Sequence, residues 1–406
     1  MPSEQLPVAS AHRVCYNPIR SQTTLELPLP NRESGFSFLV RKFVAQDDRF
    51  RDAFGILKKA IAERAFPACS LAVTFGGELV ACKALGRFTY DPVSPQVTTA
   101  NLFDLASLTK VVATTAMAMI LYERGLLDLE APVSAIVPDF MDAFAEDNER
   151  RRDLTVRTLL AHNSGLPAYE KLFLRSPNRE ALLRAAFTTP LTAAPGTRVE
   201  YSDIGFIILG VALERLADEA LDAFCQREIF GPLGMTHTTF NPTQALKDAI
   251  PPTADDRSFR HRIIQGEVQD ENASVLGGIA GHAGLFSSAE DLAIFAHAML
   301  NGGHPILRSP TVELFSRRGP VPEGTSRALG WDTPSAPSQS GKYFSSRSFG
   351  HLGYTGTSLW IDPDRQLSIT LLTNRTWPDS ENQAIQQVRP AFHDAVIESL
   401  GQVPSR

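Results

Sequence analysis

The chain of 406 residues is long enough for two domains of ordinary size. A hydrophobic content of 43% and a charged content of 21% are typical of a folded globular protein and exclude a disordered one. The net charge of −6 argues against a nucleic-acid partner, because binding phosphates requires a basic surface.

The N-terminal segment 1–50 is polar, contains several prolines and predicts an extension that packs loosely on the rest of the chain. It lacks the charged start and the apolar core of a secretory signal. No uninterrupted apolar run is long enough for a transmembrane segment. We therefore expect a cytoplasmic protein, or a periplasmic or secreted one if a signal was trimmed. The sequence leaves the oligomeric state open.

A β-hairpin is predicted next, because two β-rich runs, 68–75 and 78–88, flank the dipeptide Gly76-Gly77. The following segment, FDLASLTKVVATTAMAMIL, is apolar on nearly every side. A helix of this kind belongs in a protein interior, so we predict a buried helix that ends near Gly125.

The middle of the chain, 128–284, has a helical pattern that proline and glycine interrupt. LTVRTLLAHNSGLP predicts a short helix capped by threonine, and YSDIGFIILGVALERLADEAL predicts a long amphipathic helix. SSAEDLAIFAHAML predicts a helix that opens with a capping box from Ser287 to Glu290. Residues 317–348 show no periodicity, are rich in Pro, Ser and Gly, and predict a surface loop.

The C-terminal part returns to β structure. TSLWIDPD and RQLSITLLTNR predict two strands joined by a Pro-Asp turn, and DSENQAIQQVRPAFHDAVIESL predicts a closing helix. Because strands occur at both ends of the chain with helices between them, we predict one sheet built from both ends and a helical insertion.

The buried helix carries a pair of residues suited to catalysis. Lys110 follows Ser107 by three residues, which places both side chains on one helical face. An unpaired buried ammonium is costly, so Lys110 requires a partner or a function. Desolvation is expected to lower the pKa of Lys110 toward neutrality, where the amine can take a proton from the serine hydroxyl. The alternative is that Ser107 only caps the helix while Lys110 extends to solvent.

Further motifs occur at Tyr201-Ser202-Asp203 and at His351-Leu352-Gly353. Together with FDLASLTK, LLAHNSGLP, PLGMTHTTF and GGIAGHAGLFSSAEDL, they stand in the order found in the serine β-lactamase and penicillin-binding protein family. The chain resembles the branch that contains class C β-lactamases, D-alanyl-D-alanine peptidases and related carboxylesterases. The resemblance covers residues from about 55 to 400.

The resemblance implies a fold and a set of domains. The fold is α+β: an antiparallel sheet built from both chain ends and flanked by helices, with an inserted all-helical domain. The expected boundaries are 51–130 with 285–406 for the α/β domain and 131–284 for the helical domain, after the extension 1–50.

The resemblance also implies roles for individual residues. Ser107 is the nucleophile that accepts the acyl group, and Lys110 is its proton partner. Tyr201 is the second general base, which relays a proton to the leaving group. The oxyanion hole consists of the N–H groups of Ser107 and Tyr354.

Two departures from the family pattern bear on substrate choice. Asp203 stands where the β-lactamases usually have asparagine, and a carboxylate cannot donate a hydrogen bond to a substrate carbonyl unless protonated. His351 and Leu352 replace the lysine and threonine that usually precede Gly353. A histidine is mostly neutral at pH 7 and leucine offers no hydrogen bond, so we expect weaker recognition of a substrate carboxylate.

Three other residues have more than one interpretation. The dipole at a helix C-terminus accounts for His162 as a structural residue. His282 lies in a glycine-rich stretch and is either structural or part of the substrate-binding wall. Trp331 is more typical of a packing anchor, with a substrate contact as the alternative.

These observations favour a serine hydrolase that acts through an acyl-enzyme on a small ester or amide, most simply a carboxylesterase. The alternatives are a D-alanyl-D-alanine carboxypeptidase or weak class C-type β-lactamase, and a member of the family that binds a ligand without turning it over. No GxSxG or HExxH motif occurs, and the cysteine spacings fit no metal site, so we expect no metal ion and no cofactor.

Overall fold

Strands from both ends of the chain meet in one sheet. The computed structural model describes residues 39–141 and 147–401. Its strands are β1 Val40–Arg41, β2 Ala68–Phe75, β3 Glu78–Gly86, β4 Phe103–Asp104, β5 Thr239–Phe240, β6 Ala254–Asp256, β7 Arg262–Ile264, β8 Leu285–Ser287, β9 Phe349–Leu352, β10 Ser358–Asp362 and β11 Leu367–Thr373. The six-stranded sheet has the order β1-β3-β2-β11-β10-β9, while β4-β8-β5 and β6-β7 form two smaller sheets.

Most of the α-helices lie, in chain order, between the N-terminal strands β1–β3 and the C-terminal strands β9–β11. They are α1 Gln46–Arg49, α2 Arg51–Ala62, α3 Ala116–Glu123, α4 Val133–Ile136, α5 Asn148–Arg151, α6 Val156–Leu160, α7 Arg179–Phe187, α8 Asp203–Ala217, α9 Leu221–Cys225, α10 Gly231–Leu233, α11 Gln244–Lys247, α12 Glu271–Val275, α13 Ala289–Leu300, α14 Ser309–Ser316 and α15 Ile385–Ser399. The α+β fold class is therefore confirmed. The proposed domain boundaries remain a prediction.

The pairing of the main sheet confirms the predicted hairpins. β2 and β3 are antiparallel and connect through Gly76 and Gly77, whose φ angles of 57° and 84° are those that a tight two-residue hairpin turn requires. β10 and β11 are antiparallel and connect after Asp362, as the Pro-Asp turn predicts. β11 then pairs with β2, which joins the C-terminal strands to the N-terminal hairpin.

Helices cover both faces of this sheet. α2 and α15 pack on one face, and α13 packs against β2 and β11 on the other. Because β2 is central and covered on both sides, nearly all of its residues are buried, which explains why its sequence is continuously apolar instead of alternating.

Part of the predicted extension belongs to the sheet. Residues 1–38 lie outside the described residues. Within 39–50, β1 pairs with β3 in parallel, and Phe50 is fully buried in the core beneath α2. At least this end of the segment is therefore fixed to the body instead of packing loosely.

Two predicted helices differ from expectation. α8 is buried along its first ten residues after Asp203, because α3, α4, α6 and α7 all pack around it. It is the central helix of the helical region and not an amphipathic surface helix. The cap of α13 is Ser288, whose side chain accepts from the N–H of Asp291, so the predicted capping box from Ser287 to Glu290 is not the cap of this helix. Thr155 does cap α6, as predicted.

The glycine-rich segment before β8 fits against α8 only because it lacks side chains. A Cβ built on Gly281 would lie 2.1 Å from the carbonyl oxygen of Phe206 and 3.0 Å from the backbone of Gly210. We predict that Gly281→Ala lowers the free energy of unfolding by about 1–3 kcal/mol, the usual cost of overpacking.

Scanning calorimetry of Gly281→Ala and Gly55→Ala checks this prediction. Gly55 lies on the exposed side of α2, where an added Cβ meets nothing within 4 Å. Alanine there should leave the protein unchanged or stabilise it by up to about 1 kcal/mol, because alanine favours helix more than glycine does. If Gly281→Ala has the same melting temperature as the wild type, the close packing around Gly281 is contradicted.

Candidate active site

Ser107 lies in a tight turn at the start of a buried irregular helix. The predicted single helix is divided into a 3₁₀ turn, Ala106–Leu108, a π-helical segment, Lys110–Thr115, and α3. Ala106 has a φ angle of 47°, an unfavourable value for a residue with a side chain. Such strain next to a reactive group is common at functional sites, where the surroundings hold it in place.

Asp104 fixes this turn, although no motif in the sequence singles it out. Its carboxylate accepts from the N–H of Ala106 at 2.8 Å and from the N–H of Gln269 at 2.6 Å. Burial raises the pKa of Asp104 to about 6, against the opposing effect of these two bonds. The residue therefore ties the turn that carries Ser107 to a segment more than 160 residues away.

The ammonium group of Lys110 is fully buried and uses all three of its donors. Nζ donates to Ser107 Oγ at 2.9 Å, to Asp203 Oδ1 at 2.6 Å and to the carbonyl oxygen of His282 at 3.1 Å. The predicted contact between Ser107 and Lys110 is thus present. The alternative, in which Lys110 extends to solvent, is excluded by its zero exposure.

Asp203 changes the expected protonation of Lys110. Burial by itself lowers the pKa of Lys110, but the adjacent Asp203 carboxylate, together with Tyr201, acts in the opposite direction, and the net shift is upward. The expectation of a lysine with a pKa near neutrality is therefore wrong. The cause is the ion pair: Lys110 is an ammonium in the resting site, and it neutralises Asp203.

The aromatic ring of Tyr201 lies close to two positively charged side chains. Lys110 Nζ is 4.9 Å from the centre of the Tyr201 ring, and the guanidinium carbon of Arg327 is 5.2 Å from it. Burial raises the pKa of Tyr201, although Lys110 acts against this rise. Its buried hydroxyl lies near Lys110 and Ser107 yet forms no hydrogen bond of normal geometry with the described residues.

His162 positions Tyr201 instead of balancing a helix dipole. Its Nδ1 accepts from the N–H of Ser202 at 3.0 Å, and its ring lies 4.5 Å from the ring of Tyr201. Burial and the nearby cations Arg327 and Lys110 hold the pKa of His162 well below its usual value. The imidazole is neutral, so the predicted interaction of a positive charge with the helix C-terminus is wrong.

His282 contributes to the cavity wall and also to the geometry of Lys110. Its Nε2 is 2.9 Å from Asp270 Oδ1, and its carbonyl accepts from Lys110. Asp270 also caps α12 by accepting from the N–H of Ala273. This arrangement fixes the imidazole while leaving Nδ1 buried without a hydrogen-bond partner among the described residues.

His351 is neutral in the folded protein. Its Nδ1 is 2.8 Å from the carbonyl oxygen of Leu352, so Nδ1 carries the proton. Burial, with Lys110 and Arg327 nearby, holds the pKa of His351 well below its usual value. The Nε2 atom is therefore an acceptor, and it has no partner among the residues that the structure describes.

Gly353 and Tyr354 follow β9 at the edge of the cavity. A Cβ on Gly353 would lie 1.9 Å from Thr357 Oγ1 and 2.4 Å from the carbonyl oxygen of Leu105, so only glycine allows β9 to end this close to the Ser107 turn. The Tyr354 carbonyl accepts from Arg375 Nε at 2.7 Å.

A cavity of about 740 Å³ brings most of the predicted site residues together, a volume within the usual range for small-molecule sites. Those that line it are Ser107, Tyr201, Asp203, His282, His351, Gly353 and Tyr354. Lys110 lies behind Ser107. Trp331 does not line the cavity, because its ring is buried against Phe295 and Phe349 in the core. The alternative of a substrate contact by Trp331 is therefore not supported.

Three arginines of this cavity were not predicted: Arg327, Arg375 and Arg389. Arg327 comes from the predicted surface loop 317–348, which contains no regular helix or strand. Arg327 lies near the Asp332 carboxylate and the Tyr201 ring, whereas Arg375 and Arg389 donate to backbone carbonyls. No motif in the sequence predicts these contacts.

Neither metal-binding clusters nor membrane-spanning helices occur in the ranges 39–141 and 147–401. No group of three or more His, Cys, Asp or Glu side chains there could hold a metal ion. No helix there is long and apolar enough to cross a bilayer.

Comparisons with known proteins identify the family. The family model described as Beta-lactamase matches residues 41–391. The chain is 33% identical over 343 residues to the N-acetylmuramyl-L-alanine amidase of Bacillus subtilis (strain 168), which covers 76% of this chain and 77% of that protein. It is 34% identical over 348 residues to the putative D-alanyl-D-alanine carboxypeptidase of Salmonella agona (strain SL483), with 76% and 79% covered.

Among solved structures, the hydrolase EstCE1, which has promiscuous acyltransferase activity, aligns with a TM-score of 0.71 and 23% identity over 87% of this chain and 100% of that one. The chain belongs to the β-lactamase family and is a serine hydrolase of that fold.

We predict that Asp203→Asn moves the rising limb of the pH profile of kcat/KM to lower pH. The carboxylate stabilises the ammonium form of Lys110, so its removal favours the amine and lowers the pKa of Lys110. If the amine is the active form, the base becomes available at a lower pH.

The pH profile is measured with a neutral phenyl ester, and Glu271→Gln is the matched control. Glu271 also lines the cavity, so its replacement removes one carboxylate from the wall without touching Lys110. The control should titrate like the wild type. An Asp203→Asn profile that stays in place or moves to higher pH would show that Asp203 does not set the pKa of the base.

Proposed function

We propose that this protein hydrolyses a small ester or amide through an acyl-enzyme on Ser107. The observation that carries this proposal is the placement of Lys110, which contacts Ser107 Oγ and Asp203 together at the base of a cavity that Tyr201 also lines. A buried lysine with a serine hydroxyl as hydrogen-bond partner is the arrangement that nucleophilic catalysis needs.

In the resting site Lys110 is an ammonium, so it first loses one proton to solvent. Acylation begins when the resulting amine takes the proton of Ser107 and Oγ attacks the substrate carbonyl carbon. The negative charge that develops on the carbonyl oxygen is stabilised by the N–H groups of Ser107 and Tyr354. The tetrahedral intermediate then collapses. The leaving group takes the proton of the Tyr201 hydroxyl, and Lys110 returns its proton to the Tyr201 oxygen. The products of this half are the acyl-enzyme, the free alcohol or amine and a neutral Lys110.

Deacylation repeats these steps with water in place of the leaving group. Tyr201 and Lys110 remove a proton from the water as it attacks the acyl carbon. Ser107 Oγ leaves and recovers its proton from Lys110, which completes the cycle. His162 acts as a positioning residue here, because it accepts from the N–H of Ser202 and its ring contacts that of Tyr201 without reaching the cavity.

The choice between ester and amide substrates depends on the charges of the cavity. Simple carboxylic esters are the expected minimal substrates, because an activated alkoxide cleaves them without further assistance. An unpaired Asp203 carboxylate would repel a substrate carboxylate, but the ion pair with Lys110 largely removes this repulsion. The negative charge of Asp203 is therefore no reason to favour neutral esters over carboxylate-bearing substrates.

A second candidate function is hydrolysis of an amide that links an acyl group to an amino acid. Two relatives at 33% and 34% identity, covering about three quarters of this chain, are named as an amidase and a putative carboxypeptidase, and both names describe cleavage of such bonds. The same Ser107, Lys110 and Tyr201 serve either reaction. A protonated Tyr201 is useful for the amide, because an amine leaves only when it is protonated.

We predict that a fluorophosphonate probe labels Ser107 and that Ser107→Ala lowers kcat/KM on a phenyl ester by several orders of magnitude. The nucleophile is then lost, and only binding and the oxyanion hole remain. Peptide mass mapping locates the label, and the hydrolysis of p-nitrophenyl butyrate measures the activity.

Ser258→Ala is the matched control, because Ser258 also lines the cavity but its hydroxyl contacts Asp256 and no lysine. This variant should keep both labelling and activity. A label on any serine other than Ser107, with Ser107 unmodified, would end the assignment.

A further inference from the structure

The guanidinium of Arg327 lies over the ring of Tyr201 and lines the cavity. Its carbon is 5.2 Å from the centre of that ring, compared with 4.9 Å for the ammonium nitrogen of Lys110. The steps of acylation and deacylation use Lys110 and Tyr201 but not Arg327. A second cation against the same ring therefore requires an explanation.

Backbone pairing places Arg327 there, although segment 317–348 contains no regular strand. Arg327 and Asp332 form an antiparallel bridge, and Asp332 forms a second bridge with Gly350 of β9. Trp331, in the turn between the two bridged residues, is 1% exposed and belongs to the core. The sheet edge and a buried indole thus fix the part of the segment that carries Arg327.

The carboxylate of Asp332 offsets the charge of Arg327 only in part. Asp332 Oδ2 is 3.7 Å from Arg327 Nη1, which is longer than a hydrogen bond. The other carboxylate oxygen, Oδ1, accepts from Ser326 Oγ at 2.6 Å and from the N–H of Thr333 at 3.0 Å. Much of the positive charge of Arg327 therefore acts on Tyr201.

Other charged or titratable groups near Tyr201 come from several elements: Lys110, Asp203, His162, His351 and Glu200. Lys110 pairs with Asp203, and Glu200 pairs with Arg198. Both imidazoles are neutral, because burial and then the cations Lys110 and Arg327 hold their pKa values well below the usual one. Arg327 adds a positive charge that these pairs do not cancel.

A positive charge at this ring matters at one step of the reaction. When the leaving group takes the proton of the Tyr201 hydroxyl, the tyrosine oxygen carries negative charge until Lys110 returns a proton. Burial opposes that charge and raises the pKa of Tyr201. A cation over the ring favours it, because the attraction to an anionic ring is stronger than the attraction to a neutral one.

We propose that Arg327 is a positioning residue that holds the ring of Tyr201 and stabilises the negative charge on its oxygen while the proton passes to the leaving group. This inference rests on the proposed function, because it assigns a role in the same reaction. The proton moves from Tyr201 to the leaving group and a second one moves from Lys110 to Tyr201, while Arg327 stays protonated throughout.

Two neutral esters with the same acyl group test this role. p-Nitrophenolate leaves without a proton, whereas an alkoxide needs one, so proton donation by Tyr201 matters more for ethyl butyrate than for p-nitrophenyl butyrate. We expect Arg327→Met to lower kcat/KM by about ten- to a hundredfold for ethyl butyrate and by less than about threefold for p-nitrophenyl butyrate. A purely structural role, or a role in binding the acyl group, would affect both esters to the same extent.

Three further variants accompany Arg327→Met. Arg327→Lys keeps the positive charge and should restore part of the activity on ethyl butyrate. Arg317→Met removes an exposed arginine of the same segment that does not line the cavity, and it should behave like the wild type. Arg327→Gln removes the charge but keeps N–H donors, and it takes the place of Arg327→Met if the methionine variant does not fold.

The pH profile gives a second readout that a structural role would not move. Loss of a positive charge favours the protonated forms of both Lys110 and Tyr201. We therefore expect Arg327→Met to move the rising limb of kcat/KM to higher pH by about 0.5–1.5 units. This direction is opposite to the one expected for Asp203→Asn.

Equal losses for the two esters, or a pH profile that stays in place, would overturn the role of Arg327. If the wild type hydrolyses neither ester, the proposed function fails, and fluorine NMR of protein labelled with 3-fluorotyrosine still decides the inference. The Tyr201 signal is assigned by its absence from Tyr201→Phe. Titration of this signal at higher pH in Arg327→Met than in the wild type would support the inference, and an unchanged titration would overturn it.

Discussion

The buried ammonium of Lys110 is the constraint on which the rest of the site depends. Its three acceptors come from three separate parts of the chain: the turn of Ser107, the start of α8 at Asp203 and the glycine-rich segment at His282. A buried charge that loses one partner costs roughly 3–5 kcal/mol. The turn of Ser107, the central helix α8 and the segment before β8 must therefore all be in place for Lys110 to be accommodated.

The charge of Lys110 also determines what the cavity presents to a substrate. Lys110 and Asp203 form an ion pair at the base of the cavity, and Arg375 and Arg389 line the wall beside Tyr354. His351 and Leu352 supply neither a fixed charge nor a hydroxyl. Next to His351, Leu352 and Gly353, the positive charge comes instead from Arg375, which follows β11, and from Arg389 in α15.

The sequence predicted those parts of the fold that depend on local patterns. The Gly76-Gly77 hairpin, the cap at Thr155 and the strands around the Pro-Asp turn follow from the conformations that these residues favour. The pair Ser107 and Lys110 was recognisable because three residues is a helical spacing. The parallel pairing of β1 and the central position of α8 were not predictable, since tertiary neighbours decide them.

The electrostatic features of the site depended on contacts that no sequence spacing encodes. The pKa of Lys110 rises instead of falling because Asp203, 93 residues further along the chain, lies 2.6 Å from its ammonium. His162 is neutral because it is buried and because the cations Arg327 and Lys110 lie nearby. Nothing in the sequence distinguishes Arg375 and Arg389 from ordinary surface arginines. Only the fold buries them beside a cavity.

The charge state of Lys110 is the central claim, and nitrogen NMR of protein labelled with nitrogen-15 at the lysine side chains tests it most directly. The Lys110 signal is assigned by its absence from Lys110→Arg, and its chemical shift distinguishes an ammonium from an amine. The ion pair with Asp203 predicts an ammonium at neutral pH that loses its proton only at alkaline pH. A neutral amine for Lys110 at neutral pH would contradict the account.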